Sequence, residues 1–261
     1  MTKLKAVLWD VDGTLAETER DGHRVAFNQA FEIFGLAWHW DEIYYGDLLR
    51  ITGGRERILH HMALCSEGPA TLGERETLAR KVHATKNTLY ADLVRSAGLP
   101  LRAGVLGLLE ECRSRGVKLA IATTTSRSNV EVLLQAHMGA RWSEWFPVMV
   151  CGEDVQLKKP NPEVYIRALN ALNISPLEAV AIEDSPGGVA AARTANVPVV
   201  VALSSYFTNA AIEGALAIGP SFHQRLGWRP ELPQSTDGDP SVCLADIESW
   251  HAQGDCVSHY P

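Results

Sequence analysis

The chain has 261 residues, of which 46% are hydrophobic and 21% are charged, and its formal net charge is −7. A chain of this length and composition can bury a sizeable core in one or two domains. The negative charge and the lack of a basic run argue against a nucleic acid partner, and no apolar stretch approaches the roughly 20 residues that span a membrane.

The cysteines and the first residues indicate the cellular compartment of the protein. The five cysteines are scattered and form no Cys-x-x-Cys pair, which predicts reduced thiols rather than a disulfide framework or a zinc site. The first residues run directly into an apolar segment, so we expect no signal peptide. A cytoplasmic protein is therefore expected.

The first predicted element is a buried strand over residues 6–9, which ends in Asp10, Asp12 and Gly13. Ligands of open α/β sheets bind beyond the carboxyl ends of the strands. Two close carboxylates repel each other unless a cation or a shared proton lies between them. Mg²⁺ takes oxygen ligands of this kind, and a carboxylate can also attack phosphorus. Taken alone, the same residues also fit an ordinary turn.

Residues 17–95 show helical periodicity and no convincing buried strand. Phe27, Ala30, Phe31 and Phe34 recur at helical spacing before Gly35, and a second long helix is predicted from Leu78, Val82, Leu89 and Leu93. This pattern predicts a helical module inserted after the first strand.

From residue 98 onward, buried apolar runs alternate with helical patterns, which indicates a parallel sheet flanked by helices. A Gly-, Pro- and Ser-rich loop is expected over 219–240, followed by residues 242–244 and a closing helix from about Asp246. The predicted fold class is α/β, with a Rossmann-like parallel sheet core and an inserted helical domain. The later strands are predicted over 118–122, 148–151, 179–182 and 198–203, with helices between them.

Polar side chains follow each of the first four predicted strands. After the two acids of the first strand come Thr123, then Lys158 and Lys159, then Glu183 and Asp184. Each feature alone also fits a local role as a turn, a helix cap or a solvated charge. Phosphoryl transfer needs positioning, a metal and charge neutralisation. The four features in this order therefore favour phosphoryl chemistry.

These motifs resemble the four ordered motifs of the haloacid dehalogenase-like phosphatases. The matching segments are Asp-x-Asp-Gly-Thr-Leu, a strand ending in Thr, Lys-Pro-x-Pro and Glu-Asp-Ser. The resemblance extends to about residue 217. It implies that the catalytic residues are the nucleophile Asp10, the general acid and base Asp12, the phosphate ligand Thr123 and the bridging lysine Lys159.

The same resemblance implies a metal site and a domain division. Mg²⁺ would be bound by Asp10, Asp184 and the backbone carbonyl of Asp12, with Glu183 in support. The helical module resembles the cap of this family. It implies a cap domain over 17–96 and a core domain over 1–16 and 97–261.

Two stretches of the helical module, residues 17–23 and 52–57, resemble the CbbY-like subgroup, which hydrolyses sugar bisphosphates. This resemblance implies xylulose-1,5-bisphosphate as the substrate. The phosphate that does not react needs cations, for which Arg55, Lys86 and Arg102 are the candidates in that order. The full set of expected substrate-binding residues is Glu17, His23, Arg55, Lys86, Arg102 and Thr124.

Other functions remain open on the sequence. His23 and the Lys86-Asn87 pair also resemble β-phosphoglucomutase, which returns the phosphate to a hexose instead of to water. A phosphoglycolate-type phosphatase is a further alternative. A non-catalytic binding protein would have lost a catalytic residue, and none is missing. The expected partner is a small phosphorylated sugar, and the expected oligomeric state is a monomer.

Overall fold

A computed structural model describes residues 2–65, 68–234 and 238–257, with the side chains of Ala97 and of residues 254–257 outside that description. The strands in this part of the chain form one parallel sheet in the order β3-β2-β1-β4-β5-β6. The predicted α/β fold class is confirmed. The strands are β1 (Ala6–Trp9), β2 (Lys118–Ala122), β3 (Val148–Val150), β4 (Ala179–Glu183), β5 (Val199–Ala202) and β6 (Ala217–Gly219).

Among the described residues, the α-helices form two groups: four lie between β1 and residue 98, and five flank the sheet. One π-helical turn (Glu19–His23) follows β1, and two short 3-10 turns (Gly139–Glu144, Pro176–Glu178) connect core elements. The helices are α1 (Arg24–Ile33), α2 (Glu42–Leu48), α3 (Gly54–Leu64), α4 (Leu72–Ala97), α5 (Val105–Ser114), α6 (Arg127–Met138), α7 (Glu163–Leu172), α8 (Pro186–Thr194) and α9 (Leu244–Val257).

The central strand β1 brings the candidate site residues to one edge of the sheet. Trp9, its last residue, lies level with Ile121 of β2 on one side and with Ile182 of β4 on the other. The residues that follow these strands therefore emerge at the same edge. This register explains why motifs far apart in the chain meet.

Both faces of β1 are buried because helices cover the sheet on two sides. Val7 and Trp9 pack in one apolar cluster with residues of α5, α6 and α9. Ala6 and Leu8 point to the opposite face and pack with residues of α7 and α8. Successive side chains of a strand alternate between faces, so a continuous apolar run is what a strand covered on both sides requires.

Helices α1 to α4 bury a third apolar cluster of their own, rich in aromatic rings. Phe27 and Phe31 each lie with their ring centroids 4.8 Å from that of Trp40. The predicted helix over 27–34 corresponds to α1. The second predicted helix is α4, which begins at a capping box between Thr71 and Glu74. The short helices α2 and α3 were not predicted.

Two connections join these helices to the sheet core, and they pair with each other. Ala16 and Leu101 form an isolated antiparallel bridge, and the N–H of Arg102 donates to the carbonyl of Leu15 at 2.8 Å. The predicted division into 1–16, 17–96 and 97–261 remains a proposal, and residues 258–261 of it lie outside the described part.

The predicted loop over 219–240 is packed against the core, and its residues 235–237 lie outside the description. Trp228 is buried and stacks on Trp250 of α9, with ring centroids 5.0 Å apart. Backbone groups of Arg229 and Ile218 exchange two hydrogen bonds. Strand β6 was not predicted. Within the described residues, no helix combines the length and apolar character needed to cross a membrane.

Candidate active site

Lys159 lies at the centre of the candidate site. Its ammonium donates to Oδ1 of Asp10 at 2.7 Å, to Oε1 of Glu183 at 2.6 Å and to the backbone carbonyl of Ala122 at 2.8 Å. Burial lowers the pKa of Lys159, but the charges of Asp10 and Glu183 more than offset this effect and raise the pKa above its usual value. The lysine therefore remains charged beside the predicted nucleophile.

Asp10, Glu183 and Asp184 form a cluster of buried carboxylates with candidate ligand oxygens within 4.8 Å of one another. Burial raises the pKa of Asp10 to about 7, and the opposing charge of Lys159 limits the rise. Burial and the neighbouring carboxylates also raise the pKa of Asp184. Because one ammonium faces three carboxylates, the cluster lacks positive charge. Hard oxygen ligands of this kind fit a divalent metal ion.

Glu183 is held by a residue that the sequence analysis did not select. The hydroxyl of Tyr165, on α7, donates to Oε1 of Glu183 at 2.5 Å. In the sequence, Tyr165 shares the apolar spacing of its helix and carries no separate signal. Its role depends on how α7 packs against β2 and β3, which only the folded chain defines.

The carboxylate of Asp12 points away from the acid cluster toward the helical module. It accepts hydrogen bonds from the hydroxyl of Thr18 at 2.5 Å and from Nε2 of His23 at 2.9 Å. Lys86 donates to Nδ1 of His23 at 2.8 Å, so Nδ1 is the acceptor and Nε2 carries the hydrogen. Burial raises the pKa of Asp12, but these donors outweigh it and hold the pKa well below its usual range.

Thr123 and Thr124 follow β2 and line the same cavity as Asp10. Thr123 is buried, its N–H donates to the carbonyl of Val150 at 3.0 Å, and its hydroxyl accepts the N–H of Thr125 at 3.4 Å. These contacts fix the turn after the strand. The hydroxyl and amides of such a turn suit a phosphate oxygen.

A cavity of about 760 Å³ separates the sheet edge from the helical module. This volume lies within the range of sites that bind small molecules. Five of the six predicted substrate-binding residues line it. They are Glu17, His23, Arg55, Lys86 and Thr124.

Arg102, the sixth predicted substrate-binding residue, does not line this cavity, and its predicted role in binding the substrate stays a prediction. Its guanidinium is buried and donates to backbone carbonyls, because the paired connections direct it toward the loop after β5. Its Nε also lies 3.4 Å from Oε1 of Glu17. The carbonyls that accept from Arg102 are those of Gly13, Ala202, Leu203 and Pro220.

A buried ion pair in the wall of the cavity was also missed. Arg57 donates to Oε1 of Glu19 at 3.2 Å and to the hydroxyl of Tyr45 at 3.0 Å, and Tyr45 donates to Oε2 of Glu19 at 2.5 Å. The charge of Arg57 is thus neutralised within the helical module. The only sequence signal was its place in the Gly-Gly-Arg-Glu-Arg segment.

Comparisons with known proteins agree with this geometry. A family model described as a haloacid dehalogenase-like hydrolase matches residues 4–196. The plasmid-encoded CbbY protein of Cupriavidus necator is 40% identical over 251 residues, which cover 95% of this chain and 97% of that protein.

Solved structures agree as well. Rhodobacter sphaeroides CbbY, crystallised as a mutant in complex with xylulose-(1,5)bisphosphate, is 38% identical with a TM-score of 0.80, over 86% of this chain and 97% of that chain. A β-phosphoglucomutase from Clostridium difficile has a TM-score of 0.72 at 18% identity, over 97% of this chain and 99% of that one, and this likeness shows the fold alone.

Proposed function

The chain belongs to the haloacid dehalogenase-like hydrolase family as a phosphatase, and we propose that its substrate is a sugar bisphosphate, specifically xylulose-1,5-bisphosphate. This substrate is the ligand of the R. sphaeroides relative. The reaction is the hydrolysis of one phosphate ester, with Asp10 as the nucleophile.

The observation that carries this proposal is the distribution of charge around the cavity. One end has the buried carboxylates of Asp10, Glu183 and Asp184 with Lys159. The cavity lining also includes cationic side chains from the helical module and from the residue before Lys159, so that a ligand with two phosphates would have cations for each. These cations are Arg50, Arg55, Arg80 and Lys158.

In the first step, a carboxylate oxygen of Asp10 forms a bond to phosphorus while the bond from phosphorus to the sugar oxygen breaks. Lys159 holds the carboxylate in place and offsets the charge of the transferring group. Thr123 and its turn bind the phosphate oxygens. Asp12 in its protonated form donates the proton that the departing sugar oxygen requires; the negative charge of the bound phosphate favours this form, and Asp12 regains the proton from water in the second step.

In the second step, water attacks phosphorus, and Asp12 takes its proton as phosphate leaves and Asp10 is regenerated. The hydrogen bonds from Thr18 and His23 stabilise ionised Asp12, which is the form that accepts this proton. Lys86 keeps His23 in the tautomer that donates to Asp12.

We also propose that the divalent metal is Mg²⁺, held by Asp10, Asp184 and the carbonyl of Asp12, with Glu183 in support. The donor set of hard oxygens fits this ion. When bound, Mg²⁺ neutralises charge on the phosphate oxygens.

The helices over 17–96 are proposed to act as a cap domain that selects the substrate. Their independent apolar cluster and the two paired connections to the sheet core support this division. His23, Lys86 and Arg55 on this module line the cavity. The module is therefore placed to bind the substrate and to exclude solvent.

The reaction is proposed to take place in the cytoplasm. Among the described cysteine side chains, Cys112 and Cys151 are buried free thiols, and Cys65 and Cys243 are also unpaired. The side chain of Cys256 lies outside the described residues. Free thiols accord with a reducing compartment.

The test is phosphate release from a panel of sugar monophosphates and bisphosphates, with Mg²⁺, with Mn²⁺ and with EDTA. We expect strong release from xylulose-1,5-bisphosphate that is abolished by EDTA and falls by at least about 10³-fold in Asp10→Asn, because the nucleophile is lost. Circular dichroism of Asp10→Asn verifies that the variant is folded.

Two results would contradict the proposal. Isomerised hexose phosphate with little free phosphate would identify the mutase alternative, in which the same residues return the phosphate to a sugar. Rapid release from phosphoglycolate but not from bisphosphates would identify the phosphoglycolate-type alternative.

A further inference from the structure

An ion pair joins the helical module to the core at the outer part of the cavity. Nζ of Lys158, which precedes Lys159 in the chain, lies 2.9 Å from Oε2 of Glu56 on α3. Both side chains line the cavity. Consecutive lysines therefore serve different ends of the site, because Lys159 contacts Asp10 and Lys158 contacts the helical module.

The backbone beside this pair leaves room for both side chains. Gly53 has φ +103°, and a Cβ on it would lie 2.2 Å from Oε2 of Glu56 and 2.4 Å from Nζ of Lys158. No side chain fits there without displacing the pair. Burial raises the pKa of Glu56, but the hydrogen bond and charge of Lys158 more than offset it and lower the pKa. Glu56 is therefore an ionised partner of Lys158.

The pair is also accessible enough to exchange partners. The side chains of Lys158 and Glu56 are 26% and 32% exposed, and pairs at such positions are worth little because water competes for both charges. A phosphate dianion carries more charge than one carboxylate and offers more acceptor oxygens, so it would compete well with Glu56 for the ammonium. The neighbouring Arg55 has only a 3.5 Å contact to Glu56.

We propose that Lys158 is a specificity-determining residue that binds the non-reacting phosphate of the substrate, and that Glu56 holds Lys158 while the cavity is empty. This inference rests on the proposed function, since it requires a substrate with a second phosphate. Glu56 then competes with the substrate for Lys158. Removing Lys158 should therefore weaken substrate binding, whereas removing Glu56 should strengthen it.

The experiment compares Lys158→Gln and Glu56→Gln in phosphate-release assays. The substrates are xylulose-1,5-bisphosphate and the monophosphate that the wild-type enzyme hydrolyses best. For the bisphosphate, Lys158→Gln should raise KM by about 10- to 100-fold, because a charged hydrogen bond to phosphate is lost. Glu56→Gln should lower KM by about 2- to 5-fold, because the competing carboxylate is removed. Neither variant should change KM for the monophosphate by more than about twofold.

The matched control is the pair Lys5–Glu178, which lies at the start of the sheet and away from the cavity lining. Lys5→Gln and Glu178→Gln should leave both KM values unchanged. The dissociation constant of the bisphosphate, measured by calorimetry in an Asp10→Asn background, provides a second readout that needs no turnover. This dissociation constant should rise in Lys158→Gln and fall in Glu56→Gln.

A rise in KM for both Lys158→Gln and Glu56→Gln would overturn the inference, since it would identify the pair as a simple link between cap and core. An equal effect of Lys158→Gln on monophosphate and bisphosphate would overturn it too. If the wild-type enzyme hydrolyses the monophosphate but neither binds nor hydrolyses any bisphosphate, the bisphosphate proposal fails and this inference fails with it. If the enzyme hydrolyses the bisphosphate but KM does not rise in Lys158→Gln and fall in Glu56→Gln, this inference fails and the bisphosphate proposal stands.

Discussion

Buried charge is the property that distinguishes individual residues of the site from the rest of the core. Lys159 is buried among Asp10, Glu183 and a backbone carbonyl, and the partly buried Asp12 contacts His23 and Thr18. An unpaired buried charge is costly, so each of these contacts serves stability as well as chemistry. The remaining imbalance, three carboxylates against one ammonium, is what makes the cluster suited to a metal ion.

Arg102 is the residue where stability and chemistry are most closely connected. Its guanidinium ties the carbonyl of Gly13, in the turn after Asp12, to those of Ala202 and Leu203. The loop after β5 continues into Ser204, whose Cβ lies with the Asp184 carboxylate next to Gly13. Arg102 therefore holds together segments that present the candidate metal ligands.

Replacing Arg102 by lysine should weaken metal binding. A lysine keeps the charge but cannot span these carbonyls, because its ammonium lacks the planar fork of a guanidinium. We expect the Kd for Mg²⁺, measured by calorimetry on the metal-free protein, to rise by about 10-fold, or about 1.4 kcal/mol. KM for the sugar phosphate at saturating Mg²⁺ should change little.

The control for this substitution is Arg115→Lys. Arg115 is an exposed arginine of the core that pairs with Glu111 and Glu248. This variant should bind Mg²⁺ as the wild type does. Unchanged Mg²⁺ affinity in a folded Arg102→Lys would contradict the role assigned to Arg102.

At the scale of elements, the site depends on how closely helix α8 approaches the end of strand β4. A Cβ on Gly188, in the first turn of α8, would lie 1.9 Å from Oε2 of Glu183. That carboxylate is held from the other side by Lys159 and Tyr165. The absence of a side chain at Gly188 therefore lets helix and strand meet at the distance the cluster requires.

Substituting Gly188 by alanine should push Glu183 out of position. We expect a destabilisation of about 1–3 kcal/mol from overpacking and a fall in kcat of at least about 10-fold, because Lys159 loses its alignment with Asp10. Thermal unfolding and steady-state kinetics measure the two effects.

Gly187 provides an adjacent control, because a Cβ on it would meet nothing within 4 Å. Gly187→Ala should leave kcat unchanged and stabilise the protein by up to about 1 kcal/mol, as alanine favours a helix over glycine. Equal kinetics for the two alanine variants would show that the contact between α8 and Glu183 has no catalytic consequence.

At the scale of the whole molecule, the helical module and the sheet core contribute opposite walls of one cavity within a single chain. Asn87 on α4 donates to Ser126 after β2 at 3.2 Å, and Glu17 accepts the hydroxyl of Ser205 at 2.9 Å. Together with the Lys158–Glu56 pair, these contacts join the two walls of the cavity.

We predict that the protein is a monomer in solution. Among the described residues, the most exposed large apolar side chains are Ile43 on α2, Leu72 on α4 and Leu226 in the loop after β6, and single exposed apolar residues are normal on a protein surface. Light scattering coupled to size-exclusion chromatography should give a mass near 28.5 kDa. A mass of about twice that value at assay concentrations would contradict the prediction.

The sequence by itself was sufficient to predict the fold class, the helical insertion and the residues of the acid cluster. Asp10 and Thr123 directly follow β1 and β2, Lys159 lies in the connection after β3, and Glu183 is the last residue of β4. Parallel strands bring their carboxyl ends to one edge whatever their order. Local patterns therefore identified the shared edge of the sheet before any contact was known.

Only the tertiary structure decided which partner each charged side chain takes. Arg102 could bind a phosphate or backbone carbonyls, and the choice depends on segments up to 118 residues away in the chain. The pairs Arg57–Glu19 and Lys158–Glu56 and the contact of Tyr165 with Glu183 likewise join residues from different elements. Hydropathy and spacing describe a residue's own element, whereas a salt bridge between two elements depends on how those elements pack, and no local pattern encodes that packing.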